Sequence, residues 1–458
     1  MSDKRQKRQL ELAFACKTKG EALDLARKGT ESRKAENRTE HPAAQERVME
    51  EVCEVRNLKQ ALRRVKQNGG SPGIDGRRVE ELAPYLVRNW NEIRESLLNG
   101  RYRPQAVKRV EIAKPTGGTR LLGIPTVVDR FVQQAMLQVL QKRWEPSFST
   151  HSHGFRPGRS AHQAVAEAQQ HIAEGYRWVV DLDLEQFFDQ VNHDRLMSRV
   201  AERVSDKRAL KLIRRMLEAG VMMGGLVRPT EQGTPQGGPL SPLLSNIVLD
   251  ELDQELERRG HRFVRYADDC NVYVRSERAG QRVMESLRRY ITSKLRLRLN
   301  ESKSAVAQPW NRKFLGFSFT NRKEPKRRIA PEAVMRFKKR VRGLTRPTCG
   351  RSIGETLAEL NMYLNGWMGY FGFAQTGSVM ATLNRWIRRR LRSLIWRQWR
   401  TWKRRSTALE QLGIDERTAC RTAATRRGPW YTSNQYPLSA ALSNSYFADL
   451  GLIELRVT

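Results

Sequence analysis

Hydrophobic positions recur along this chain at two spacings, three to four residues apart in some stretches and every second residue in others. In NLKQALRRVKQNGGSPGIDG, Leu58, Leu62 and Val65 share one helical face, and Asn68-Gly69-Gly70 with Pro72-Gly73 stop the helix and turn the chain. Val107 to Ile112 reads as a strand, PTGG as a tight turn and Val127 to Leu140 as a helix, so a basic hairpin leads into a helix. WVVDLDL, 178 to 184, is a short apolar run broken by acids, and the spacing in VNHDRLMSRVAERV after it is helical. GTPQGGPLSPLLSNIVLDELDQELERRG opens as a Gly/Pro turn and continues as a helix, with Leu244, Val248, Leu252 and Leu256 in one i,i+4 row. RFVRYADDCNVYV, 262 to 274, reads as strand, turn and strand, and KFLGFSFT, 313 to 320, as a further strand.

Farther on, three amphipathic helices are expected. Their apolar rows are Val334, Phe337, Val341, Leu344; Ile353, Leu357, Leu360, Leu364, Trp367; and Leu383, Ile387, Leu391, Leu394. Residues 1 to about 50 are charged and poor in large apolar side chains, the composition of a solvated extension. From about 406 to 458 little pattern is legible, and no internal repeat occurs. Strands followed by a purely helical region make an α+β chain.

Charge sharpens this picture. The 84 Lys+Arg against 49 Asp+Glu give a formal net charge of +35, which points to a polyanionic partner, foremost a nucleic acid. Half of that excess lies in 321 to 405, with 22 basic residues against 4 acidic ones. There RWIRRRLRSLIWRQWRTWKRR interleaves arginines with four tryptophans, as a nucleic-acid surface does. No apolar run approaches the roughly 20 residues that span a bilayer and no signal-peptide pattern opens the chain, so a soluble cytoplasmic protein without a membrane partner is expected. The five cysteines are never paired at zinc-ligand spacing, and His151 and His153 read as loop residues.

Against this basic background two acid clusters stand out. Asp268 and Asp269 fall at the tip of the 262 to 274 hairpin, where Asp is ordinary as a turn residue. Asp181 and Asp183 interrupt another strand, and side by side the two strands bring carboxylates together. Three carboxylates within about 4 Å repel by roughly 4 kcal/mol per pair at an effective dielectric near 20, so the arrangement calls for dications, and all-oxygen ligation selects Mg²⁺ or Mn²⁺. Two such ions activate a 3′-hydroxyl and stabilise departing pyrophosphate. Arginines then hold phosphates while carboxylates hold the metals that react with them.

Five motifs, in order, carry a resemblance. AKPTGGTRLLGIPTVVDR (113 to 130), HGFRPGRSAHQA (153 to 164), DLEQFFD (183 to 189), GTPQGGPLSPLLSNIVLD (233 to 250) and YADD (266 to 269) resemble the bacterial group II intron reverse transcriptases, or intron maturases. The likeness runs from about residue 50 to the C-terminus. It implies a right-hand polymerase: an N-terminal extension (1–50), N-terminal fingers (51–135), a fingers and palm core (136–320), a basic helical thumb and maturase region (321–405) and a nucleic-acid-binding tail (406–458).

The same resemblance implies site roles. Asp183, Asp268 and Asp269 bind two Mg²⁺ ions, with Asp268 the stronger candidate of its pair because neighbours in a strand point opposite ways; Asp181 is left in a supporting position. Phe188 would lie under the incoming sugar and exclude a 2′-hydroxyl, against the alternative of a core phenylalanine beside Phe187. Gln236 touches the nucleotide, Lys114 and Arg120 grip the triphosphate, and Lys303 protonates pyrophosphate. Arg385, Arg388, Arg389, Arg392 and Lys403 contact nucleic acid. The expected partners are intron RNA, RNA template, DNA primer or target and deoxynucleoside triphosphates, with dimer and monomer both open. The implied function is RNA-directed DNA synthesis with splicing assistance and target-primed mobility. The alternatives are an RNA-binding splicing chaperone and a reverse transcriptase of a retron, defence or diversity-generating system. Paired Cys and His of an HNH endonuclease are absent from the sequence, so DNA cleavage is not expected.

Overall fold

The computed structural model describes Phe14 and residues 47–113, 119–223, 226–228, 233, 237–347 and 350–457. The chain divides into two compact units that interleave in sequence, whereas the expected segments are contiguous. One comprises Met1–Ser160, Val180–Val272 and Arg278–Val306; the other comprises Ala161–Val179, Tyr273–Glu277 and Ala307–Thr458.

The first unit is built around two long helices. Val55–Asn68 buries Leu58, Ala61, Leu62 and Val65 against Val127–Trp144. Val127–Trp144 runs a turn beyond its expected end and is buried on nearly every side, polar residues included. Several of those polar groups are paired, as burial demands: Gln138 donates to the Asn57 carbonyl at 3.0 Å and side-chain oxygen at 2.7 Å, and Asn57 donates to the Ala135 carbonyl at 3.0 Å. Phe14, inside the extension expected to be solvated, is buried with its ring 5.2 Å from Trp90 and 6.3 Å from Phe131.

Two sheets complete this unit. β1 (Val107–Ala113), β2 (Thr119–Ile124), β4 (Val221–Met223) and β5 (Leu226–Arg228) form one in the order β2-β1-β4-β5. β1 pairs antiparallel with β2, Lys108 opposite Ile124, but parallel with β4, a pairing that alternation along one strand does not reveal. The second sheet has the order β6-β7-β3-β8, from β3 (Trp178–Asp183), β6 (Arg262–Tyr266), β7 (Asp269–Val274) and β8 (Ala305–Ala307). The helix Ser241–Arg258 packs beside β6, and its row Leu244, Val248, Leu252 and Leu256 is buried as expected.

In the second unit, β9 (Phe317–Phe319) pairs antiparallel with β10 (Arg327–Ile329), Phe319 opposite Arg327. β9 is shorter than the 313 to 320 strand expected. The helices Pro331–Leu344, Ile353–Phe371 and Gly377–Gln398 match the three apolar rows, and a Ser352/Glu355 capping box starts the second. The region beyond 405, in which the sequence showed no pattern, is helical: Trp402–Gln411, Glu416–Ala423, Pro429–Thr432, Tyr436–Ala441 and Asn444–Asp449. Short helices escape a periodicity reading because each has at most about three turns and a core contribution of one or two side chains. Two asparagines hold the segment that follows. Asn361 donates to the Gly451 carbonyl and accepts from Ile453 N–H; Asn384 pairs in the same way with both backbone groups of Leu455, at 2.8 and 3.0 Å. Among the described residues no helix is long and apolar enough to cross a membrane.

Candidate active site

The YADD hairpin is tighter than its sequence suggested. Ala267 and Asp268 form the two-residue turn, with Ala267 at φ 56°, and Asp269 is already the first residue of β7. The two acids thus differ in kind, one on the turn and one in the strand.

Beneath the turn lies Arg265, fully buried and held by four hydrogen bonds. It donates to both oxygens of Asp253 at 2.7 and 2.5 Å, to Asn246 Oδ1 at 3.0 Å and to the Ala267 carbonyl at 2.9 Å. Burial works against the charge of the guanidinium, and Asp253 outweighs it, leaving the Arg265 pKa above its ordinary value. Removing one partner of such a pair costs about 3–5 kcal/mol, so the turn rests on a strongly determined node. A second clamp comes from the HGFRPGR motif. Arg265 N–H donates to the His151 carbonyl at 2.9 Å and His153 N–H to the Arg265 carbonyl at 2.8 Å, while Asn246 Nδ2 donates to the Gly154 carbonyl at 2.9 Å. Gly154 lies so close to the turn that a Cβ there would stand 2.2 Å from Ala267 N.

Asp183 ends β3, the hydrogen-bonded neighbour of β7. Its N–H donates to Ser304 Oγ at 3.0 Å, its carbonyl accepts from Asn300 N–H at 2.8 Å, and its carboxylate meets Lys303 Nζ at 3.3 Å. Two residues back, Asp181 acts on the buried Cys270: burial first, then Asp253, Asp269 and Asp181 push that thiol upward. Among the described residues the carboxylates of Asp183, Asp268 and Asp269 do not close to within 4.8 Å of one another. The Asp183 carboxylate has the Lys303 ammonium beside it. The donors on offer are oxygens only, half-exposed at strand ends, which suits a hard dication rather than zinc.

After Asp183 the chain turns through Gln186 at φ 45°, with Asp189 N–H donating to the Gln186 carbonyl at 2.8 Å. This turn buries Phe187 and leaves Phe188 half-exposed. Phe188, Asp268 and Phe155 line one cleft of about 660 Å³ together with the helix residues Val65 and Leu137. Phe155 is 51% exposed at φ 60°, a left-handed conformation that carries a strain on the order of 1–3 kcal/mol in a bulky residue. Gly237, another lining residue, sits at φ 128° with the Gly123 carbonyl 2.7 Å from where a Cβ would be, so this glycine brings the backbone against β2. Lys114 and Gln236 lie outside the described residues, and Arg120 is located only by its backbone in β2.

Comparison with known proteins decides the family. A model of reverse transcriptase (RNA-dependent DNA polymerase) matches residues 112–319, and one of the group II intron maturase-specific domain matches 334–413. Protein YkfC of Escherichia coli is 34% identical over 301 residues, 57% of this chain and 79% of that protein. The chain belongs to the group II intron reverse transcriptase and maturase family. The group II intron-encoded protein LtrA of Lactococcus lactis is 31% identical over 300 residues, 51% of this chain and 50% of LtrA. A putative COX1/OXI3 intron 1 protein of Saccharomyces cerevisiae is 32% identical over 198 residues, 43% of this chain and 24% of that protein. The reverse transcriptase domain makes the chain an RNA-directed DNA polymerase of a family that uses divalent metals and nucleic-acid substrates.

In the maturase-specific region several of the residues expected to contact nucleic acid have partners within the chain. Trp396 is core, 1% exposed, rather than a surface ring. Arg388 pairs with Glu454 at 3.5 Å, Arg389 donates to the Trp430 carbonyl at 3.1 Å and Arg392 to the Leu442 carbonyl at 2.8 Å, so three of these five cations hold the chain's own C-terminal segment. Burial, with Arg388 nearby, lowers the Arg392 pKa. Arg385 and Lys403 are exposed. A different cluster emerges around Trp386, whose ring centroid lies 5.8 Å from Lys338, 5.7 Å from Arg342 and 5.5 Å from Arg390. None of these three has a carboxylate partner among the described residues. Sequence reasoning missed them because they come from two helices 40 or more positions apart. It missed Arg265 and Asp253 because a buried ion pair leaves no local spacing.

Proposed function

We propose that this chain copies its parent intron RNA into DNA from a DNA primer, in the bacterial cytosol, and assists splicing of that RNA. The observation that carries the reading is one cleft lined by both Asp268, on the YADD turn, and Phe188, on the turn after Asp183. Asp183 and Asp268 are the proposed ligands of two Mg²⁺ ions, with Asp269 a third. Such ions lower the pKa of a primer 3′-hydroxyl and neutralise departing pyrophosphate. The protein's own groups supply position. Arg265 and Gly154 hold the Asp268 turn, Ser304 and Asn300 hold Asp183, and Phe188 meets the sugar and rejects a 2′-hydroxyl. Lys303, exposed and 3.3 Å from Asp183, balances that carboxylate and can give a proton to pyrophosphate. Lys114, Arg120 and Gln236 complete the nucleotide site, and the 321–405 and 406–458 segments bind nucleic acid through the cations that internal pairing leaves available.

Primer extension on an RNA template with Mg²⁺ and deoxynucleotides tests this. Wild-type protein should extend the primer, and Asp268→Ala should abolish extension while leaving binding of primer and template intact. No extension by wild type, or equal extension by Asp268→Ala, overturns the proposal.

A further inference from the structure

Stability does not account for Phe155. Its ring is half exposed and its backbone left-handed, both of which oppose folding, and Gly or Asn would take the conformation more readily. Yet the chain fastens the residue on both sides. Before it, the Gly154 carbonyl accepts from Asn246 at 2.9 Å and the Gly154 backbone lies against the Tyr266–Ala267 peptide. After it, Arg156 is buried, donating to the Ser152 carbonyl at 2.8 Å and to Glu145 Oε1 at 3.0 Å. The backbone is fixed and the ring is left uncovered, facing a cleft that Asp268 also lines.

The remaining lining chemistry selects the ligand. Val65, Leu137, Pro239 and Pro242 are apolar, and Asn68 and Gln134 offer amides. The one cation among the described lining residues, Arg130, directs its two terminal nitrogens to the carbonyls of Gly69 and Ser71 at 2.9 and 2.8 Å. A triphosphate requires unengaged cations, whereas a flat neutral base requires apolar surface and a ring to stack on.

We propose that Phe155 is a stacking platform for a nucleobase of the RNA template, set in register with Asp268 by Gly154 and Asn246. This rests on the polymerase reading of the same cleft. Phe188 is assigned to the incoming sugar, which leaves Phe155, the other aromatic ring lining the cleft, for a base of the template.

The test uses the full chain with an RNA template carrying 2-aminopurine at its first unpaired position, annealed to a dideoxy-terminated DNA primer. Wild-type protein should quench the fluorophore, Phe155→Ala should lose the quench, and Phe155→Trp should restore it. Template affinity should fall about tenfold in Phe155→Ala, the loss expected for one stacked base, with KM for the deoxynucleotide in extension assays unchanged. The thermal midpoint should not fall, since an exposed ring on a strained backbone adds little to folding. Full quenching by Phe155→Ala overturns the proposal. So does a defect confined to KM for the deoxynucleotide, which would assign the ring to the incoming base. Failure of wild type to bind primer–template at all would instead overturn the polymerase reading, and the inference with it.

Discussion

Replacing Gly154 by alanine probes how tightly the catalytic turn is located. The added Cβ would stand 2.2 Å from Ala267 N, 2.9 Å from Tyr266 C and 3.0 Å from Ala267 Cα. All three are backbone atoms, so no flexible side chain can swing away. A carbon needs more than 3 Å from such atoms, and the two segments must therefore part by about 1 Å. They cannot part freely, because His153 N–H and Arg265 N–H tie them at 2.8 and 2.9 Å. Arg265 also grips the Ala267 carbonyl from below at 2.9 Å. The displacement falls on Ala267, already left-handed, and on Asp268 next to it. Misplacing a reacting constellation by 1 Å costs on the order of 10²-fold in rate, equivalent to about 2.7 kcal/mol of transition-state stabilisation. Single-turnover primer extension with saturating primer–template should show that loss in kcat, with primer–template affinity within a few-fold of wild type and a cooperative unfolding transition retained. A folded Gly154→Ala protein that extends at the wild-type rate would refute the coupling between the HGFRPGR motif and the YADD turn.

Other expectations concern stability and binding. Burial, with Asp253 beside it, pushes the Asp250 carboxyl up to about 6, and its Oδ1 has no hydrogen-bond partner among the described residues. A folded pKa above the unfolded value of about 3.9 means the native state binds the extra proton, so the penalty is absent below about pH 4 and grows as pH rises through 4 to 6. Asp250→Asn should therefore gain up to about 3 kcal/mol in urea unfolding at pH 7.5 and almost nothing at pH 4; no gain at pH 7.5 contradicts the assignment. For nucleic acid, replacing Lys338 and Arg342 by Gln should reduce the slope of log affinity against log salt by about 1–2, since each phosphate contact contributes roughly 0.7–0.9. Arg388→Gln should leave that slope unchanged, because its guanidinium already meets Glu454. The reverse pattern in filter binding would put the surface on the other face of the helix Gly377–Gln398.

The sequence by itself determined the longer amphipathic elements and the family. The apolar rows of Val55–Asn68, Ser241–Arg258 and the three helices after 330 were legible because a face buried along its length must repeat at the helical period. The five motifs were legible because metal ligands and close backbone approaches allow few residue types. Tertiary structure alone decided how those pieces bear on one another. The ion pair of Arg265 with Asp253 joins a strand to a helix twelve residues upstream, and Gly154 touches a turn more than a hundred residues away. Neither contact has a period or a local spacing. The fate of the arginines beyond 385 was hidden for the same reason: composition counts charges, but only packing tells which of them meet Glu454, Trp430 and Leu442 and which stay available for phosphate. Local order follows from local chemistry, whereas the setting of Asp268 depends on groups that meet only when the chain is folded.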